Sequence, residues 1–74
     1  MEVEVRLFAT LREGRFAQQT LALPDGSRVA DLMHHLQLPP EQVAILLVNG
    51  RNVPPEHLLR SKDTVSLFPL LAGG

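Results

Sequence analysis

The chain has no cysteine. That one absence removes disulfides, thiolate nucleophiles, iron–sulfur ligation and cysteine zinc sites together, and it fits a reducing compartment. Long apolar runs are missing as well. A membrane span needs about 18 consecutive apolar residues, and the stretch Val43-Ala44-Ile45-Leu46-Leu47-Val48 stops far short of that. The opening residues, Met1-Glu2-Val3-Glu4, alternate acidic and apolar side chains instead of forming a basic, apolar leader. A cytoplasmic location and no membrane partner are therefore expected. Positive charge is not concentrated anywhere: seven Lys and Arg stand against eight Asp and Glu, for a formal net charge of −1. Nucleic-acid binding needs a basic face to displace counterions from phosphate, so no nucleic-acid partner is expected.

What remains is a chain of 74 residues, 45% of them hydrophobic. It is long enough for one small domain with a core of its own, and too apolar to stay disordered. Residues 1–8 alternate, with Met1, Val3, Val5 and Leu7 on one face and Glu2, Glu4 and Arg6 on the other, the pattern of a half-buried strand. Phe8 breaks the rule by placing a large apolar ring on the polar face. After a turn-like stretch, Thr20-Leu21-Ala22-Leu23 reads as a second strand closed by Pro24-Asp25-Gly26.

Ser27 is placed to cap a helix over residues 27–37. Val29, Leu32, Met33 and Leu36 give that helix a single apolar stripe, and Pro39-Pro40 stops it. The apolar run 43–48 reads as a strand covered on both faces. Asn49-Gly50 turns it back, and Pro55-Glu56-His57-Leu58-Leu59 reads as one helical turn opened by proline. Ser61-Lys62-Asp63-Thr64 is a polar turn before the last long strand, Val65 to Phe68. A helix between strands must bury its stripe on the sheet, which gives a two-layer α+β domain over residues 1–68.

The side chains assemble no recognisable reactive centre. His34 and His35 are neighbours about 100° apart on a helix and cannot face one point. Asp31 beside them is explained by charge pairing on a solvated helix face. His57 stands alone, and three such histidines lack the convergence a metal requires, so no metal site is expected. Gly26, Gly50, Gly73 and Gly74 are too dispersed to cradle a phosphate. No enzyme acting through its own side chains is written here.

Chemistry is concentrated instead at the end of the sequence. Phe68 meets Pro69, and Leu70, Leu71, Ala72, Gly73 and Gly74 follow. Proline has no N–H to donate, so regular pairing ends there, and residues 69–74 are expected to leave the fold as a flexible tail. Two residues without a Cβ let another protein's backbone close tightly around the chain. The group they present is the carboxylate of Gly74. On the last strand, Val65 and Leu67 share one face while Phe68 shares the other with Ser66. If the first pair meets the helix, Phe68 faces solvent, as Phe8 does by its own parity. Should the run 43–48 lie alongside, an uncovered apolar patch is expected at the root of the tail, unless loop 9–18 or 54–62 folds over it.

With these residues in view, the whole chain resembles the ubiquitin-like, β-grasp sulfur carriers, and among them most closely the small subunits of molybdopterin synthases. The resemblance rests on Val5-Arg6-Leu7-Phe8-Ala9, on Val29-Ala30-Asp31-Leu32, on Val48-Asn49-Gly50, and above all on Leu67-Phe68-Pro69-Leu70-Leu71-Ala72-Gly73-Gly74. It implies a mixed sheet of four to five strands with one main helix on one face. It also implies a function that is not catalytic in the isolated chain. A ubiquitin-activating-type enzyme would use ATP to adenylate the Gly74 carboxylate, and a sulfur donor protein would convert the adenylate to a thiocarboxylate. The large synthase subunit would then hold Phe68, Pro69, Leu70, Leu71, Ala72 and Gly73 in its active site while sulfur passes to a pterin precursor. Phe8 would belong to the partner-binding patch, and no cofactor would be bound by the chain alone. Carriers serving thiamine or tRNA thiolation, and ubiquitin-like modifiers that conjugate to lysines, remain alternatives. Family members often carry Asp-Gly-Asp where this chain has Ser61-Lys62-Asp63, and a second proline where it has Leu70.

Overall fold

The computed structural model describes residues 1–70. Five strands form one mixed sheet: β1 (Glu2–Leu7), β2 (Gln18–Ala22), β3 (Val43–Val48), β4 (Arg51–Asn52) and β5 (Thr64–Pro69), in the order β2-β1-β5-β3-β4. β1 and β5 are parallel at the centre, and the other pairings are antiparallel. One helix, α1 (Val29–His35), crosses one face. This is the α+β, β-grasp arrangement expected from the sequence.

The alternation of β1 and β5 positions the core. Val3, Val5, Leu7, Val65 and Leu67 are fully buried, and Val5↔Val65 and Leu7↔Leu67 lie side by side in the parallel register. Leu46 and Val48 extend the same layer from β3. Above it sit Val29, Leu32 and Met33 of α1, with Leu36 packed at the margin. Leu11, Leu23, Leu38 and Leu59 close the ends of the layer.

Three local expectations are corrected. Ser27 does not cap α1, because its hydroxyl donates to the Pro24 carbonyl at 2.7 Å. Asp31 instead accepts from the Arg28 N–H at 2.8 Å, and the free N–H groups of Val29 and Ala30 donate to the carbonyls of His57 and Pro55. The first turn of a helix leaves donors unsatisfied, and a distant loop here supplies the acceptors. That use of its carbonyls also explains the second correction. Residues 55–59 form a turn with an isolated bridge between Leu58 and Arg28, not a helical turn.

Third, α1 ends before the prolines reach it. Gln37 adopts φ 57°, its N–H donates to His34, and the Leu38 N–H donates to Met33. This reversal folds Leu38 into the core and is the usual way a helix satisfies its last carbonyls. Arg15 reaches across to the carbonyls of Leu36 and Gln37 at 3.4 and 3.3 Å, so the β1–β2 connection also braces this end.

The turn before β5 carries a cost that a glycine would not. Lys62 sits at φ 73°, with its N–H bonded to the Glu2 carbonyl. An L-residue in this region costs roughly 1–2 kcal/mol, and glycine returns about 0.5–1 kcal/mol of that through its freer unfolded chain. Lys62→Gly is therefore expected to raise stability by about 0.5–1 kcal/mol in chemical denaturation, with unchanged slope; a loss of stability would show that the lysine side chain contributes more than its backbone costs.

Candidate functional site

The sheet has a second face, and no helix or strand among the described residues covers it. The β3–β5 register sets Ile45 beside Phe68 and Leu47 beside Ser66, on the side opposite the core pairs Leu46↔Leu67 and Val48↔Val65. Ile45 is 42% exposed. The expectation that β3 is covered on both faces is thus wrong. A domain with one helix covers one side of its sheet, and the continuous apolar run of β3 serves the core with alternate residues only.

Continuing the parallel register of β1 with β5 brings Phe8 to Phe68. Their rings stack, with centroids 4.2 Å apart and planes 9° from parallel. Both are half-buried instead of fully solvent-facing, because each covers one face of the other. The two sequence-predicted aromatics are therefore brought together as expected. From loop 9–18 only the Arg12 side chain lies over the Phe8 ring, while Leu11 turns into the core.

The rim of this apolar face is polar. The Arg12 guanidinium carbon lies 5.8 Å from the Phe8 centroid, a cation–π arrangement, while its Nε donates to the Leu7 carbonyl at 2.9 Å. Arg6 pairs with Glu4 at 2.7 Å on the same side of β1. An apolar centre bordered by charge, here on its β1 side, is a composition that suits a protein-binding surface.

β5 delivers the chain to the edge of that face. Pro69 is the last residue of the strand, is buried, and lies opposite Val43, so the folded body extends one residue beyond the expected boundary. The Leu70 N–H reaches the Gln42 carbonyl at 3.4 Å, and the Leu70 side chain is 66% exposed. The sequence-predicted residues Leu71, Ala72, Gly73 and Gly74 lie outside the described residues.

Among the described residues no three His, Asp or Glu side chains converge on a point that would hold a metal ion. No described helix is long and apolar enough to cross a membrane. One network escaped the sequence reading. The Asn49 side chain accepts from the Thr64 N–H and donates to Asp63, both at 2.9 Å, which clamps the β3–β4 turn to the start of β5. The Asn-Gly turn signal explains the residue's φ of 53° but gives no hint of this partner.

Residues 5–74 match the ThiS family. Among curated proteins none matches the chain in sequence. Solved structures do. A protein assigned as molybdopterin converting factor subunit 1 from Pyrococcus furiosus is 29% identical, with a TM-score of 0.79 over 93% of this chain and 97% of that one. Small archaeal modifier protein 1 from Methanosarcina acetivorans is 26% identical, with a TM-score of 0.75 over 99% and 96%. A complex of subunits 1 and 2 of the molybdopterin-converting factor from Helicobacter pylori contains a chain 24% identical, with a TM-score of 0.69 over the full length of both.

Proposed function

The chain belongs to the ThiS family of ubiquitin-fold sulfur carriers and modifiers, and from that premise we propose that it is the sulfur-donating small subunit of a molybdopterin synthase. The observation that carries the proposal is the uncovered face of Phe8, Ile45 and Phe68 at the point where β5 hands the chain to its Gly-Gly end. A carrier needs a place to be gripped next to the group it carries, and no pocket of its own. Similarity to a converting-factor subunit 1 at 29% identity supports the molybdopterin pathway over the other sulfur acceptors. A converting-factor subunit 1 held in complex with its subunit 2 supports a large-subunit partner.

The chemistry then follows from the terminal carboxylate of Gly74. A carboxylate is a poor acyl donor because its leaving group would be oxide. An adenylating partner joins one carboxylate oxygen to the α-phosphorus of ATP and releases pyrophosphate, so that AMP becomes the leaving group. A sulfide equivalent from a donor protein displaces AMP and leaves a thiocarboxylate. In the large subunit this sulfur would bond to a carbon of the pterin precursor as an oxygen substituent leaves that carbon. Water would then cleave the resulting thioester between acyl carbon and sulfur, leaving the sulfur on the pterin and returning the carboxylate. Gly73 and Gly74 suit the sequence of events because two unrelated partners must enclose the same backbone closely.

Phe68→Ala tests the gripping face. It removes half of the aromatic stack, worth about 0.5–1.5 kcal/mol beyond the area the ring buries. Because Phe68 is only half-buried, the variant is expected to stay folded, which its thermal unfolding checks. Binding to the adenylating partner and to the large subunit, measured by calorimetry, is expected to weaken by about 10–100-fold, the range for a central aromatic anchor. Unchanged affinity for both partners would remove the face from the mechanism. Covalent adducts of the chain on lysines of other proteins, without sulfur at Gly74, would instead favour the modifier activity named for the archaeal relative.

A further inference from the structure

Of the large apolar side chains exposed among the described residues, Ile45 and Leu70 belong to the face and tail root already described, and Leu58, at 46% exposure, does not. It lies in a cleft of about 640 Å³ together with Val48, Asn49, Arg51, Val53, His57, Arg60 and Asp63. The cleft sits at the far end of β5 from the tail, since Asn49 is bonded to Thr64 while Pro69 lies opposite Val43. Strand rise puts roughly 17 Å between those two ends.

Its charge is unbalanced. Asp63 is the cleft's one acid, and its two oxygens are taken up, one by the Asn49 amide at 2.9 Å and the other by the Arg60 N–H at 2.8 Å. Among the described residues the Arg51 and Arg60 guanidiniums make no ion pair and no hydrogen bond. With Arg51 and Arg60 against Asp63 the cleft keeps a net charge of +1, and its two guanidiniums stand without ion pairs beside an exposed leucine and a half-buried valine, Val53.

The walls are fixed. The Leu58 segment is tied to α1 through the Val29 and Ala30 N–H groups, the Leu58–Arg28 bridge, the Leu59 N–H to the Ser27 carbonyl, and Arg28 Nη1 to the Glu56 carbonyl at 2.7 Å. The opposite wall is the Asn49 clamp. A rigid cleft loses little entropy when it is filled, which makes a small docking site effective.

We propose that this cleft is a second docking site, taking an acidic, aliphatic segment of a partner protein. Guanidinium groups pair with carboxylates in two-pronged hydrogen bonds, so Arg51 and Arg60 fix the segment's acidic side chains. Leu58 and Val53 receive an aliphatic side chain between them. Because the site lies at the opposite end of β5 from the tail, a partner can occupy it while another holds Phe8, Ile45 and Phe68. The inference stands independently of the acceptor to which sulfur is delivered.

The test is a titration of the isotope-labelled chain, followed by amide resonances, with the peptide acetyl-Glu-Leu-Asp-Leu-Glu-amide. Its Gln and Asn counterpart and inorganic phosphate serve as separate probes. Expected are shifts at Arg51, Val53, Leu58 and Arg60 on adding the acidic peptide. At least about tenfold weaker binding is expected for the uncharged peptide and for the Arg51→Glu/Arg60→Glu variant. Affinity should fall several-fold between about 50 mM and about 300 mM salt. Both arginines are exposed, so the variant's spectrum is expected to stay dispersed like the parent's. Three outcomes overturn the proposal: no shifts up to about 5 mM peptide, shifts centred on the Phe8–Phe68 face, or phosphate alone binding the cleft as tightly as the peptide.

Discussion

Deleting Gly74 is expected to abolish sulfur transfer while leaving the fold intact. Every core side chain of the described residues lies between Val3 and Leu67, so removal of the last glycine takes nothing from it. The gripping face is untouched as well. Shortening the chain by one residue withdraws the carboxylate by about 3.5 Å from wherever a partner places it. A displacement of 1 Å can already cost about a hundredfold in a positioned reaction. The remaining Gly73 carboxylate is chemically equivalent and is expected to fail through position alone. The measurement is pterin-sulfur formation in the assembled two-subunit system, alongside binding of the variant to the large subunit. Loss of product with affinity retained within about threefold is the expected result. Full activity in the shortened chain would remove Gly74 from the mechanism.

Leu67→Ala is expected to have the largest effect on the fold. Leu67 is fully buried at the centre of the sheet, paired with Leu7 on one side and Leu46 on the other. Truncating a leucine in such a position costs about 2–5 kcal/mol, the lost transfer energy plus the cavity it leaves. Stability of roughly 0.05–0.15 kcal/mol per residue gives this domain about 4–11 kcal/mol in all. The substitution therefore removes a large share of the total, and a midpoint in urea shifted strongly downwards is expected. Leu70→Ala is the control. At 66% exposure it should change stability by no more than about 0.5 kcal/mol. Equal effects at the two positions would mean that Leu67 is not the core residue described.

Much of this was legible in the sequence because it was local and periodic. Alternation in residues 1–8 and 65–68 identified the two central strands and their buried sides, and the stripe of Val29, Leu32, Met33 and Leu36 identified the helix and its packing face. The same parity argument foresaw that Phe8 and Phe68 lie together on the other side. What escaped was long-range or depended on an unusual backbone. The helix start is satisfied by carbonyls of residues 55 and 57, and no local pattern near Ser27 reveals a partner so distant in the chain. Its end turns on a glutamine in the left-handed region, where glycine is the usual signal. The six apolar residues of β3 read as a strand buried on both sides, yet composition does not count how many helices are available to cover it. Asn49 was read for its turn preference, and its second role, clamping Thr64 and Asp63, required the fold to bring those residues together. The fate proposed for the terminal carboxylate rests on the resemblance to sulfur carriers, since periodicity has no means to supply it.

The most direct measurement is the intact mass of the full chain after incubation with its adenylating partner, ATP and a sulfur donor protein. The expected product is the parent mass with one oxygen replaced by sulfur, localised by fragmentation to Gly74 and absent when ATP is withheld. A chain that is recovered unchanged under conditions where the partner consumes ATP, or that carries its modification anywhere other than Gly74, would contradict the function proposed.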